Sequence, residues 1–338
     1  MQKEGYFKPI SKYNLKGSDE LIIKEREIPI RILKIQTLLD RVTLPPEKRV
    51  ILEGELKSRL AGYYGEKAID YYLRKLPKND YCILHSLRLK MNSDYFQIDT
   101  LLLTDKYALI IEVKNLAGEL FIDVNCNQLI QTTPDGEVKG YQNPVQQAKY
   151  QKQDLEKVFK TKVIHLPVEY LVTISKPSTI LKTNSKYAIS KMIHAQYLIE
   201  EIERLNMKYH IVIHEQNAVK KMAKMLLKLH CRETYDVLKA NQLTQEDVQK
   251  GVRCTDCGHT PMQRKHGTWK CPNCCKIDIN AHVKAVEDYF LLFDSPLTNQ
   301  KFREFTYMDS EQTASRLLKK MNLPHSGNGR SRVYYSLY

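Results

Sequence analysis

Asp99, Glu112 and Lys114 stand in the pattern Asp-x12-Glu-x-Lys inside an otherwise apolar stretch, Asp94 to Gly118. Two apolar runs, Ile98 to Leu103 and Ala108 to Val113, flank the polar Thr104-Asp105-Lys106-Tyr107 and read as a β-hairpin. Residues two apart on a strand share a face, so Glu112 and Lys114 point to one side, and antiparallel pairing brings Asp99 beside them. Charges at an apolar sheet are costly to bury, which favours chemistry over scaffolding. Two carboxylates supply oxygen ligands for a hard cation such as Mg²⁺ or Mn²⁺, and a neighbouring ammonium can orient a water or help to deprotonate it. The same three residues also read as an ordinary ion pair at a strand end.

A second set of reactive side chains lies far downstream. Cys254-Thr255-Asp256-Cys257 and Cys271-Pro272-Asn273-Cys274 are two Cys-x2-Cys knuckles separated by 13 residues. Four thiolates complete the closed tetrahedral shell of structural Zn²⁺; free thiols or a redox pair are the alternative. Cys275 exceeds the ligand count, as a spare thiol or a replacement ligand, while His259 and His266 read as surface residues.

The elements that must position these groups follow from periodicity. Leu52, Leu56, Leu60, Ala68, Tyr72 and Leu76 mark an amphipathic helix. It contains Gly62 and Gly65, each costing about 1 kcal/mol against alanine, so close approach to another backbone is expected there. Upstream, Ile30 to Leu39 reads as a short helix or strand. A strand is predicted over Tyr81 to Leu87, a second hairpin over residues 119–140, and a helix from Asn143-Pro144 to about Lys160, with proline in the first turn. Val168 to Ile174 reads as a strand, Tyr187 to Ile193 as an edge strand and Ala195 to Leu205 as a helix. Alternating strands and helices make the class α/β.

Gln97-Ile98-Asp99, Ile111-Glu112-Val113-Lys114-Asn115 and Gly118 resemble the nuclease-related domain (NERD) family of the PD-(D/E)XK superfamily. Gly62-Tyr63-Tyr64-Gly65-Glu66 is similar to the family's Gly-x-x-Gly-Glu run, and Asn143, Pro144 and Gln147 to its Asn-Pro-x-x-Gln signature. The resemblance covers about residues 52–206, most strongly Gly62 to Gln147. It implies a restriction-endonuclease-like mixed sheet flanked by helices and a metal-dependent nuclease. It further implies that Asp99, Glu112 and the carbonyl of Val113 hold Mg²⁺ or Mn²⁺, with Glu66 beside them and Lys114 and Gln147 at the substrate. Without it, Glu66 is a solvated helix residue and Gln147 a cap or surface residue.

The partners expected follow from charge. Lysine and arginine exceed the acids by 14, which favours a polyanion. In Ala218 to His230, Lys220, Lys224 and Lys228 form one basic face, suited to a phosphate backbone or simply to water. In the tail, a helix near Phe302 and Phe305 precedes a second carrying Gln312, Ser315, Arg316 and Lys319, followed by Gly327, Gly329, Arg330 and Arg332. That order resembles a winged helix with a basic wing; a small helical cap is the alternative. The expected division is an extension over 1–50, the nuclease domain over 51–206, a connector over 207–251, a zinc ribbon over 252–282 and the winged-helix-like module over 283–338. No apolar run is long enough to span a membrane, and Met1 to Gly5 lacks a secretory core, so a cytoplasmic DNA-cleaving protein is expected. RNA as substrate, a DNA-binding protein without catalysis, and a homo-oligomer stay open.

Overall fold

A computed structural model describes residues 21–336; the start of the chain, read above for a secretory core, lies outside them. In chain order the elements are β1 (Ile22–Lys24), α1 (Ile30–Arg41), α2 (Pro46–Leu73), β2 (Cys82–Met91), β3 (Asp94–Leu103) and β4 (Ala108–Lys114). Then come β5 (Glu119–Asp123), β6 (Gln128–Thr132), β7 (Val138–Gln142), α3 (Pro144–Thr161), β8 (Val168–Ile174) and β9 (Ile180–Thr183). These lead to α4 (Lys186–Ser190), β10 (Met192–His194), α5 (Leu198–Lys208), α6 (Gln216–Leu229) and α7 (Val237–Ala240). The chain ends with β11 (Gln263–Lys265), β12 (Thr268–Lys270), β13 (Ile277–Asp278), α8 (Ala281–Phe293), β14 (Leu297–Thr298), α9 (Asn299–Thr306), α10 (Glu311–Lys320), β15 (His325–Ser326) and β16 (Val333–Tyr334).

Two compact units form. Among the described residues, 21–27 with 59–233 make one and 28–58 with 234–336 the other. The first is built on a six-stranded mixed sheet ordered β1-β2-β3-β4-β8-β10, antiparallel from β2 to β4 and parallel from β4 to β10. Helices cover both faces, as burying a two-sided apolar sheet requires. Val145, Ala148 and Leu155 of α3 and Val219, Ala223 and Leu226 of α6 pack on one face. Ile69 and Leu73 of α2 and Leu198, Ile202 and Leu205 of α5 pack on the other.

Regular alternation fails at one rung. Ile98, Leu101 and Leu103 share a face, although residues three apart on a strand point oppositely. On β2, Leu84, Leu87 and Leu89 do the same. The register keeps one offset from Leu84↔Leu101 to Leu87↔Ile98 but omits the rung between Ser86 and Asp99, so both strands change phase together there, with Ser86 at φ 48°. The sheet therefore bends at the acidic residue.

Between β4 and α3 the chain departs from expectation. Residues 119–140 form not a lone hairpin but the meander β5-β6-β7, and β9 completes a separate four-stranded sheet, β7-β6-β5-β9. Every residue of β7 is exposed, which removes the apolar alternation that marks a strand. Gly118 enters this sheet at φ 89°, and a Cβ there would lie 2.1 Å from the Thr132 carbonyl oxygen. The edge strand expected over Tyr187 to Ile193 is largely helical: Ser185 caps α4 through the Ala188 amide, and only Met192–His194 pairs, parallel to β8. Residues 30–39 resolve as the helix α1. Close approach explains Gly65, whose Cβ would meet that of Asn115 at 2.3 Å; it does not explain Gly62, which has nothing within 4 Å.

In the second unit, α1, α7, the cysteine-bearing segment and the tail bury one common core, from Ile35 and Leu38 through Val252, Trp269 and Ala285 to Phe302 and Leu318. Segments too small to bury cores of their own share one. Arg41 lies within it, its Nε 2.8 Å from Asp288 and one terminal nitrogen 2.6 Å from the Gly251 carbonyl oxygen. The cysteine-bearing segment carries the three-stranded sheet β11-β12-β13. The tail runs α8-β14-α9-α10-β15-β16, with its strands ordered β14-β16-β15.

Candidate metal centre

At the bend, the backbone amide of Val113 donates to Asp99 Oδ2 at 2.9 Å. That bond ties the acid on β3 to the Glu-x-Lys segment on β4. Glu112 is only 2% exposed, which obliges both its oxygens to find donors. Oε1 accepts from Lys114 Nζ at 2.7 Å and Oε2 from Gln151 Nε2 at 2.7 Å. Lys114 Nζ also donates to Gln147 Oε1 at 3.0 Å.

The first turn of α3 explains how the glutamines arrive. Asn143 Oδ1 accepts from the amides of Val145 and Gln146, and Pro144 supplies a first-turn residue with no amide to satisfy. One turn on, Gln147 reaches Lys114. A further turn brings Gln151 to Glu112 and to the Gln97 carbonyl oxygen, 3.0 Å away. Gln151 was missed in the sequence, though its place four residues after Gln147 was the signal.

Glu66 enters from α2 and meets a buried guanidinium. Arg26 N-η1 donates to Glu66 Oε2 at 2.5 Å and to the Asp99 carbonyl oxygen at 3.2 Å. The same side chain reaches Asp70, Thr100 Oγ1 and His85 Nδ1. Because arginine only donates, His85 Nδ1 must accept, and the ring is neutral with its proton on Nε2. Burial, reinforced by Arg26, holds the His85 pKa well below its usual value. Arg26, too, escaped sequence reasoning.

The carboxylates oppose one another's ionisation. Burial first, then the charges of Glu112 and Glu66, push Asp99 well above the usual carboxylate range. Burial raises Glu66 to about 7 against the pull of Arg26, with Glu112 adding to the rise. Hard oxygen donors that repel one another are the chemistry a divalent cation satisfies, so the donor set fits Mg²⁺ or Mn²⁺. Glu66, Asp99 and Glu112 do not bring three ligand oxygens within 4.8 Å of one another; among the described residues, the one group of His, Cys, Asp or Glu ligand atoms that close consists of cysteines.

That cysteine group is Cys254, Cys257, Cys271 and Cys274. Sγ–Sγ distances of 3.5 Å join Cys254 to Cys274 and Cys257 to Cys271, close to the edge of about 3.8 Å for a tetrahedron with 2.3 Å Zn–S bonds. Each knuckle turns alike: Gly258 N donates to the Cys254 oxygen at 3.0 Å and Cys275 N to the Cys271 oxygen at 3.1 Å. The cluster fits the structural zinc of a ribbon. Cys275 stands outside it, exposed and at φ 61°.

The tail residues singled out for DNA contact sit in the second unit. Arg316 and Lys319 are exposed on α10. The side chain of Arg330 is 95% exposed and 3.9 Å from Glu311, while Arg332 is half-buried.

A mixed sheet flanked by helices, with Asp99 bonded to the backbone between Glu112 and Lys114 on its central hairpin, defines a nuclease-like α/β domain. Residues 61–175 match the family described as nuclease-related domain. The matched span contains Glu66, Asp99, Glu112, Lys114 and Gln147 and leaves out Arg26. No curated protein and no solved structure matches the chain. No helix among the described residues is long and apolar enough to cross a membrane.

Proposed function

We propose that the chain is a metal-dependent nuclease that hydrolyses DNA phosphodiester bonds. The observation that carries this reading is the meeting of Asp99, Glu112, Lys114 and Gln147 at the sheet bend, inside the nuclease-related span. Asp99, Glu112 and the Val113 carbonyl would hold Mg²⁺ or Mn²⁺, with Glu66 in support. A bound cation would acidify water and offset charge on the phosphate. Lys114, with Gln147 and Glu112 fixing its ammonium, positions the attacking water and counters charge on the non-bridging oxygens. Gln147 orients the substrate. Water adds to phosphorus as the bond to one sugar oxygen breaks.

The second unit supplies target binding in this reading. Its helix–strand–helix–helix–strand–strand order, with β14-β16-β15 pairing, supports a winged helix that presents Gln312, Arg316 and Lys319 from α10 and Arg330 and Arg332 from the wing. The zinc ribbon packs in the same core. Cleavage in the cytoplasm, in defence against foreign DNA or in DNA processing, suits such a pairing.

One observation favours a second reading, a DNA-binding protein without catalysis: both Glu112 oxygens are already engaged, by Lys114 and Gln151. Purified protein with Lys114→Ala distinguishes the two. The nuclease reading expects retained DNA binding with loss of Mg²⁺-dependent cleavage; cleavage equal to wild type removes Lys114 from the chemistry. Duplex DNA, single-stranded DNA and RNA offered to one preparation identify the substrate.

A further inference from the structure

Arg26 lies just beyond β1, 35 positions before the nuclease-related span begins at residue 61, yet its side chain is only 3% exposed. Its guanidinium joins three elements at the rung where the sheet changes phase. From α2 it takes Glu66 at 2.5 Å and Asp70 at 3.1 Å. On β2 it meets His85 Nδ1 at 2.9 Å, and on β3 it takes Thr100 Oγ1 at 2.9 Å and the Asp99 carbonyl oxygen at 3.2 Å. Asp99 is thereby held at both ends, its carbonyl by Arg26 and its carboxylate by the Val113 amide. Among the described residues, Glu66 is gripped through Oε2 alone, which leaves Oε1 for the site.

We infer that Arg26 is a positioning residue for the cation site, setting the spacing between Glu66 and Asp99 by one planar fork. The inference rests on the nuclease reading above and extends its site beyond the matched span. Charge alone does not do this: a lysine ammonium is a single point that cannot span Glu66, Asp70, His85 and Thr100 together. Neutral His85 and Thr100 complete the fork's partners, and Asp70 anchors the side of the guanidinium facing away from Asp99. A purely structural ion pair would make a different prediction, lost stability with unchanged cation affinity in the molecules that remain folded.

The test is direct Mn²⁺ titration of the full-length, zinc-loaded chain, read by the electron paramagnetic resonance of free Mn²⁺, with circular dichroism on the same samples. Asp99→Asn defines binding outside the site. Arg26→Lys is expected to weaken site binding by about 10- to 100-fold, as loss of a ligand-orienting partner does, while the spectrum of the fold is kept. Asp70→Asn, which leaves Arg26 in place without its anchor, is expected to weaken binding in the same direction and serves if Arg26→Lys does not fold. Folded Arg26→Lys with wild-type Mn²⁺ affinity overturns the inference, as does wild-type affinity in Asp70→Asn. A wild-type chain that binds no more Mn²⁺ than Asp99→Asn overturns the cation site itself, and the nuclease reading falls with it.

Discussion

Asp99 Oδ2 accepts the amide of Val113 at 2.9 Å, so the acid on one strand is bonded to the backbone between Glu112 and Lys114 on the next. The bond lies at the rung where β2 and β3 both lose their alternation.

Crowded acids make the cation-free protein sensitive to pH. Glu66 is raised from 4.5 to about 7 by burial, so the folded state holds its proton more tightly than the unfolded chain does. The unfolded chain ionises first, and folding stability from this group is lost as pH rises from about 4.5 to 7. Glu66→Gln removes the titration. Thermal melts in chelator should therefore show the variant gaining on wild type between pH 5 and pH 7.5, and Mg²⁺ should narrow the gap at the higher pH. A constant difference across the range would contradict the burial assigned to Glu66.

Two glycines three residues apart on α2 should respond oppositely to alanine. Gly62 has open space where a Cβ would go, so Gly62→Ala should stabilise by about 0.5–1 kcal/mol through helix propensity. Gly65→Ala drives a Cβ against Asn115, whose Nδ2 donates to the Ala61 carbonyl oxygen at 2.6 Å, and should destabilise by about 1–3 kcal/mol. Chemical denaturation of both variants decides the matter; equal signs would refute it.

Zinc should be linked to the core of the second unit. The single tryptophan, Trp269, lies on β12 with 1% exposure, in one cluster with Cys254 and Cys271. A strong chelator is expected to shift its emission to the red and to abolish cooperative melting of that unit, with one zinc released per chain. Unchanged emission after complete metal removal would mean that the four thiols hold the segment without an ion.

Much of the nuclease-like unit was legible because it is periodic. Glu112 and Lys114, two apart on a strand, do share a side, and Asn143-Pro144 does open a helix that carries Gln147 to Lys114. What stayed hidden has physical reasons. Arg26 pairs with residues 40 and 44 positions away, and no local pattern records such a contact. The meander ends in a strand, β7, exposed on both faces, so neither helical nor strand periodicity marks it. Gly62 misleads because a costly helix glycine points to close packing, whereas of the two glycines Gly65 alone is packed. The bend at Asp99 was hidden because the phase change falls on the polar pairs His85-Ser86 and Asp99-Thr100, where neither strand offers an apolar residue to mark which face it takes.

The central claim, cation-dependent hydrolysis at the bend, is tested most directly by incubating supercoiled plasmid with wild type and with Asp99→Asn, in Mg²⁺ and in chelator. An Asp99→Asn side chain still offers an oxygen to the Val113 amide, so the fold should be kept while a charged donor is lost. Nicked or linear product from wild type in Mg²⁺ alone, with at least a 100-fold loss in the variant, is the result predicted, on the order of 3 kcal/mol in the barrier. Cleavage by the variant at the wild-type rate, or no cleavage by wild type on any nucleic acid, would contradict it.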